Sequence, residues 1–175
     1  ANFTLRTQRV DAGKGFRYYV RQANNLMDRG QLRGAALNAA TALQMARKKR
    51  QISLAQETLS KIYPTTISSN EKLINDLESA TATFNDDNTV TQAAQLIRVY
   101  SEMIMLYDIL DNLPKKVFKP AKKRDTGFQY ESRDYTEALA QSKAEFEDLK
   151  TQAAAMHYEE GRRLERSEDK EQLRR

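Results

Sequence analysis

His157 is the single histidine in the chain and so the first residue to weigh for proton transfer. A general base needs a nucleophile within reach and a third group that fixes its tautomer. Its neighbours Tyr158, Glu159 and Glu160 supply no such set, so His157 reads as a partly buried or surface histidine on a helix. Glu159 and Glu160 precede Arg162 and Arg163 at helical ion-pair spacing, which favours surface pairs over paired-carboxylate catalysis. Asp86-Asp87-Asn88 offers oxygen ligands. It lacks the central glycine and closing glutamate of a calcium loop. It reads instead as a turn in which Asn88 or Thr89 caps the next helix. Gly13-Lys14-Gly15 brushes against the phosphate-loop patterns, but Tyr18 stands where a further glycine is needed and no strand precedes it. It reads as the entry to a helix. There is no cysteine, which excludes thiolate nucleophiles, disulfides and Cys-ligated zinc. The Glu-x-x-His ligand motif is also missing, so Tyr100, Met103 and Tyr107 read as core rather than as a cofactor box. No catalytic residue, metal ligand or cofactor is expected, and the chain does not read as an enzyme.

The strongest feature with binding chemistry is basic. Lys115, Lys116, Lys119, Lys122, Lys123 and Arg124 lie in one stretch without an acid, interleaved or flanked by Val117, Phe118 and Phe128. The chain has 29 Lys and Arg against 24 Asp and Glu, a net charge of +5; without these six the balance is 23 − 24 = −1. The basicity is therefore local. Such a loop can hold an anion on nucleic acid, acidic lipid or an acidic protein face. It can equally be a solvated loop at the C-terminal end of a helix.

The elements that must position these residues are helices. The 175 residues contain 39% hydrophobic side chains, six Gly and three Pro. Leu, Ala, Gln, Glu, Lys and Arg dominate, and these are good helix formers. No alternating run suggests a strand. No apolar run approaches the ~18 residues that span a bilayer. Residues 1–13 read as an extended N-terminal segment, and 14–175 as a single helical domain with a loop at 114–129. A first helix runs from Phe16 to Arg29 and is closed by Gly30. A second, from Leu32, ends in Arg47-Lys48-Lys49-Arg50, where cations face the negative end of the dipole. Tyr63-Pro64 is expected to end a third helix begun near Ser53. Ser68 with Glu71 would open a fourth as a capping box. The stretch Thr89–Asn112 is apolar on most of its circumference and reads as a central helix. From Ser132 to Arg166, Leu139, Ser142, Phe146, Leu149, Ala153 and Met156 form a narrow seam at spacings of three and four. Ser167-Glu168-Asp169 suggests a break before a last helix. The fold expected is all-α, six or seven helices in antiparallel hairpins with one long C-terminal helix.

The first two helices resemble a tetratricopeptide repeat, a 34-residue helix–turn–helix unit. Tyr19, Ala23 and Leu26 occupy its large–small–large positions, Gly30 the turn, Leu32 the next large position, and Ala35, Ala39 and Ala42 the small positions of the second helix. A second partial match places His157, Gly161 and Leu164 where Tyr19, Ala23 and Leu26 stand, with residues 50–156 helical but without the signature. Helices nest closely where the facing residues are small, and a lone hairpin needs stacked neighbours to cover its apolar side. The resemblance implies a protein-interaction or scaffold module of the kind found in adaptors and in envelope lipoproteins of Gram-negative bacteria. Residues such as Arg21, Asn24, Asn38 and Gln44 would line its concave face. It implies a protein partner, a cell-envelope or periplasmic setting with the cytoplasm as alternative, and membrane attachment only through a lipid anchor preceding Ala1. Ala1-Asn2-Phe3-Thr4 reads as a processed or trimmed start. The alternative function is nucleic-acid or anion binding through residues 115–124.

Overall fold

A computed structural model describes residues 14–113, 115, 118–120 and 127–174. Among them the chain forms five helices and no strand: α1 (Phe16–Asp28), α2 (Leu32–Met45), α3 (Lys49–Thr81), α4 (Asp87–Asp111) and α5 (Thr136–Leu173). They divide into two compact units. The first holds residues up to Lys72 together with Ser101–Tyr135; the second holds Leu73–Tyr100 with Thr136–Arg175. Both α3 and α4 begin in one unit and finish in the other.

In the first unit, α1 and α2 form an antiparallel hairpin. Ala42 packs in one cluster with Tyr19 and Val20. At the other end of the hairpin a Cβ on Gly34 would sit 3.1 Å from the Leu26 side chain. Ala23, Ala35, Ala36 and Ala39 are wholly buried. The turn is set by Gly30, whose φ of 74° is left-handed. Its N–H donates to the Met27 carbonyl at 2.9 Å, and Gln31 N–H donates to the Leu26 carbonyl at 2.8 Å. This pair of bonds satisfies carbonyls that the helix end would otherwise leave open.

Two expected boundaries are absent, which is why five helices form rather than six or seven. The first is Tyr63-Pro64, because α3 runs through Pro64. A proline in a helix interior costs about 3 kcal/mol, since one N–H is lost and the ring crowds the preceding turn. Leu59, Ile62, Tyr63 and Thr66 around it are all buried to 1% exposure or less. Burying each large apolar side chain is worth about 1.5–3 kcal/mol, so three of them outweigh the proline. Pro64 itself faces water. The Thr65 and Thr66 hydroxyls donate to the Lys61 and Ile62 carbonyls at 2.9 and 2.8 Å, adding bonds beside the gap. Ser68 and Glu71 consequently lie inside α3 and open no helix. The second absent boundary is Ser167-Glu168-Asp169, which α5 crosses. The cations at 47–50 also move: α2 ends at Met45, and Lys49 and Arg50 open α3. The Gln51 Oε1 accepts the Arg47 and Lys48 N–H groups at 3.0 and 3.2 Å, capping that start.

In the second unit, the cap of α4 is Asp86 rather than Asn88 or Thr89. Asp86 Oδ1 accepts the Asn88 N–H at 2.9 Å. Thr89 is buried, and its hydroxyl accepts the Asn85 N–H at 3.1 Å. The α5 seam follows the sequence pattern: Ser142, Leu149 and Ala153 are buried and Leu139, Phe146 and Met156 half-buried. From His157 to Arg174 every residue is exposed.

Candidate functional site

Segment 127–135, between α4 and α5, carries Phe128, Tyr130 and Tyr135 without regular structure. Gly127 sets its geometry. Its φ of 73° is left-handed, and a Cβ there would lie 2.6 Å from the Phe118 carbonyl oxygen and 3.1 Å from Pro120 N. Glycine alone allows this approach. The close contact turns Phe128 inward, where it is 2% exposed. Phe118, Phe128 and Tyr130 lie in a stack with centroids 5.8–6.1 Å apart. Tyr63 from α3 meets Phe128 edge-on at 6.1 Å. Tyr107 from α4 lies 6.4 Å from Tyr130 and stacks on Tyr135 at 6.2 Å. Gln56 Nε2 donates to the Lys119 carbonyl at 2.7 Å and ties residues 118–120, a strap against Gly127, to α3.

Tyr63, Tyr107, Phe128 and Tyr130 line an open groove of about 300 Å³ in the first unit. Pro64 and Ile67 extend the lining. Glu71, Glu131 and Arg133 bring charge. Arg133 Nη1 lies 2.9 Å from Glu71 Oε1. Tyr130 donates its hydroxyl to Asp111 Oδ1, and the Ser132 hydroxyl donates to Asp111 Oδ2 at 3.3 Å. The Tyr63 hydroxyl is buried and finds no partner among the described residues. Burial, with Tyr130 nearby, pushes the Tyr63 phenol well above its ordinary range. Burial and then the Asp111 hydrogen bond do the same for Tyr130. Burial followed by the neighbouring Tyr135 raises Tyr107. All three phenols are therefore neutral at physiological pH and poor proton acceptors. Ser68 also lines the groove, with no histidine among the lining residues to activate it. Tyr63, Phe128 and Tyr107 are 1%, 2% and 4% exposed and form the buried floor, while half-buried Tyr130 stands at the opening beside exposed Gln129 and Glu131. An apolar floor with a polar rim is binding chemistry.

The sequence candidates fall in several places. Of the basic loop, Lys115 and Lys119 are exposed, while Lys116, Lys122, Lys123 and Arg124 lie outside the described residues. Phe118 and Phe128 anchor the two sides of that loop in the aromatic stack. Tyr19, Ala23, Ala35, Ala39 and Ala42 are buried, with Leu26 and Leu32 half-buried. Gly161 and Leu164 do not pack as Ala23 and Leu26 do. Leu164 is 63% exposed, and a Cβ on Gly161 would meet nothing within 4 Å. Asn24 and Asn38 donate to the Val20 and Gly34 carbonyls of their own helices at 3.1 and 2.8 Å. His157 Nε2 lies 2.8 and 2.9 Å from the two Asp87 oxygens, with Glu160 3.9 Å from Nδ1. No cluster of three or more His, Asp or Glu able to hold a metal occurs among the described residues. Among the described residues no helix is long and apolar enough to cross a membrane.

Sequence reasoning missed the groove. Tyr107 reads as core, which its 4% exposure bears out, and Phe128 as an aromatic beside lysines. Tyr63, Glu71, Tyr130 and Arg133 drew no functional reading. The available signal was three aromatic residues within 128–135, in a stretch that is not helical. No family model, curated protein or solved structure is significantly similar to this chain.

Proposed function

We propose that this chain is a non-enzymatic protein-interaction module whose contact site is the aromatic groove of the first unit. The observation that carries this is an open groove with a buried aromatic floor of Tyr63, Tyr107 and Phe128 and a rim of Gln129, Tyr130, Glu131 and Arg133. Aromatic side chains supply large contact area at low entropic cost, which is why they concentrate at interfaces. The repeat-like residue pattern of the α1–α2 hairpin supports the same reading. The envelope-lipoprotein setting belongs to this proposal and rests on the repeat resemblance; mass analysis of the mature N-terminus tests it. For the interaction itself, a photo-reactive residue at the exposed position Gln129 is compared with one at Lys143 on α5. The expected result is one partner crosslinked at Gln129, absent at Lys143 and competed by unlabelled protein. Equal capture at both positions defeats the proposal.

A second reading is anion binding by the basic loop. Lys115 and Lys119 are exposed, and the strap carrying Lys119 is fixed by the Gln56 hydrogen bond and the Phe118–Phe128 stack. Retention on heparin that falls as salt rises, and is lost when the six basic residues become glutamine, supports it. Retention unchanged by those substitutions defeats it.

A further inference from the structure

We infer that a second groove, formed by α3, α4 and α5 within the second unit, binds a short linear aliphatic diamine. It shares no residue with the aromatic groove and does not rest on the interaction-module reading. At about 310 Å³ it is at the small end of ligand sites.

Electrostatics argue first. Residues 73–100 and 136–175 hold nine Lys and Arg against 14 Asp and Glu, 9 − 14 = −5, on a chain whose total is +5. Glu78 from α3 and Glu145 from α5 line the groove, and the described lining residues include no Lys, Arg or His. Both carboxylates are exposed, and neither forms an ion pair among the described residues. Each is held instead by a neutral donor. Tyr100 donates its hydroxyl to Glu78 Oε1, and Gln141 Nε2 donates to Glu145 Oε1 at 3.1 Å. The Thr81 hydroxyl donates to the Leu77 carbonyl at 2.7 Å. These donors are engaged inside the protein, which leaves the groove rich in acceptors.

Ser142 argues second, independently of charge. It is 8% exposed and lines the groove. Its hydroxyl has no hydrogen-bond partner among the described residues. Thr41, Thr58, Ser60, Thr65, Thr66 and Thr81 each donate to the carbonyl four residues back, a common resort of hydroxyls in helices. Ser142 makes no such bond to Ala138. A buried hydroxyl without a partner is costly, so a ligand that reaches it gains a bond already desolvated on the protein side.

Shape and chemistry choose the ligand. Leu96, 3% exposed, lines the groove with Ala82 and Ala138, an apolar stretch suited to methylene groups. Two carboxylates on different helices match two ammonium groups on one alkyl chain. An ammonium is compact and carries three donors, enough for a carboxylate and the Ser142 oxygen together. A calcium ion takes about six to eight oxygen ligands. No cluster of three or more His, Asp or Glu able to hold a metal occurs among the described residues.

The test titrates the full chain calorimetrically with diaminobutane, butylamine, butanediol and calcium chloride, and backbone amide resonances locate the site. Diaminobutane is expected to bind, with shifts at residues 78–82, 96–100 and 138–145. Butylamine should bind about threefold more weakly, the scale of one exposed ion pair, and butanediol not at all. Ser142→Ala should weaken diaminobutane about tenfold, the scale of one hydrogen bond to a charged group. Glu78→Gln combined with Glu145→Gln should also weaken it about tenfold, because two exposed pairs are lost. Each glutamine still accepts from Tyr100 or Gln141, so the fold should hold. Ser142→Ala should melt at or above the parent temperature, because no internal hydrogen bond is removed. Absence of diaminobutane binding, or unchanged affinity in Ser142→Ala, overturns the inference. So does butylamine or calcium binding at these resonances as tightly as the diamine, or shifts confined to other residues. A Ser142→Ala melting point well below the parent's would give the hydroxyl a partner inside the protein and overturns it equally.

Discussion

Gly127→Ala isolates the residue that shapes the groove. Alanine at a φ of 73° carries a left-handed penalty of about 1–2 kcal/mol. Its Cβ would stand 2.6 Å from the Phe118 oxygen, 3.1 Å from Pro120 N and 3.2 Å from Lys119 C. All three are backbone atoms, so no side-chain rotation relieves the contact and the strap must open. Opening endangers the hydrogen bond from Gln56 to the Lys119 carbonyl, worth about 0.5–1.5 kcal/mol. The ceiling is complete withdrawal of Phe128, and Phe128→Ala should cost about 3–5 kcal/mol. The expected loss for Gly127→Ala is therefore about 2–4 kcal/mol. At 2–4 °C per kcal/mol that lowers the melting point by roughly 4–16 °C. Far-ultraviolet dichroism follows the helices, while the near-ultraviolet tyrosine signal follows the aromatic stack and should weaken in the variant. Gly161→Ala is the control, because its Cβ meets nothing and helix propensity alone should stabilise by up to about 1 kcal/mol. If Gly127 acts through Phe128, the double variant with Phe128→Ala should cost less than the sum of the two. A Gly127→Ala variant within about 0.5 kcal/mol of the parent, with an intact near-ultraviolet signal, would refute the steric argument.

Pro64→Ala restores a helical N–H where the carbonyl of Ser60 can accept it, at the expense of a stiffer unfolded chain. A gain of about 1–2 kcal/mol in urea titrations is expected, and a loss would show that the proline ring itself packs productively. Above pH 10 the protein should lose stability, because Tyr63 and Tyr130 hold their protons more tightly when folded than when unfolded. Their contribution is fully present below the unfolded phenol pKa of about 10 and disappears as the pH rises toward the folded values. Tyrosinate absorbance should show both phenols ionising only as helix is lost; free ionisation in the folded state would contradict the burial. Removing residues 162–175 should change the melting free energy by less than about 0.5 kcal/mol, because every described residue there is exposed. Hydrogen exchange across 158–173 should be fast, and slow exchange there would reveal contacts that the exposure does not show.

The seam of α5 was legible residue by residue. Apolar side chains recur at three and four up to Met156; beyond it the same positions hold Glu160, Arg163, Ser167 and Lys170. Burial stops at the same place. The α1–α2 turn was equally plain, because a left-handed glycine after a helix has few other uses. Pro64 misled because local propensity, a cost of a few kcal/mol, was set against burial that a linear reading does not sum. Asn88 or Thr89 is the cap expected from residue type, yet Asp86 holds the position, since neighbouring residues of similar capping preference differ only in where the helix starts.

The sequence by itself determined the all-helical class, the turn at Gly30, the length of the α5 seam and the chemistry available to the chain. These follow from properties carried within a few turns: periodicity, glycine freedom and residue type. Tertiary structure alone decided that α3 continues through Pro64, and that Tyr63, Tyr107 and Tyr130 come to line one groove. Those residues are spread over 68 positions from 63 to 130. Their meeting depends on the packing of α3 and α4 and on the close backbone approach at Gly127, which no local pattern encodes.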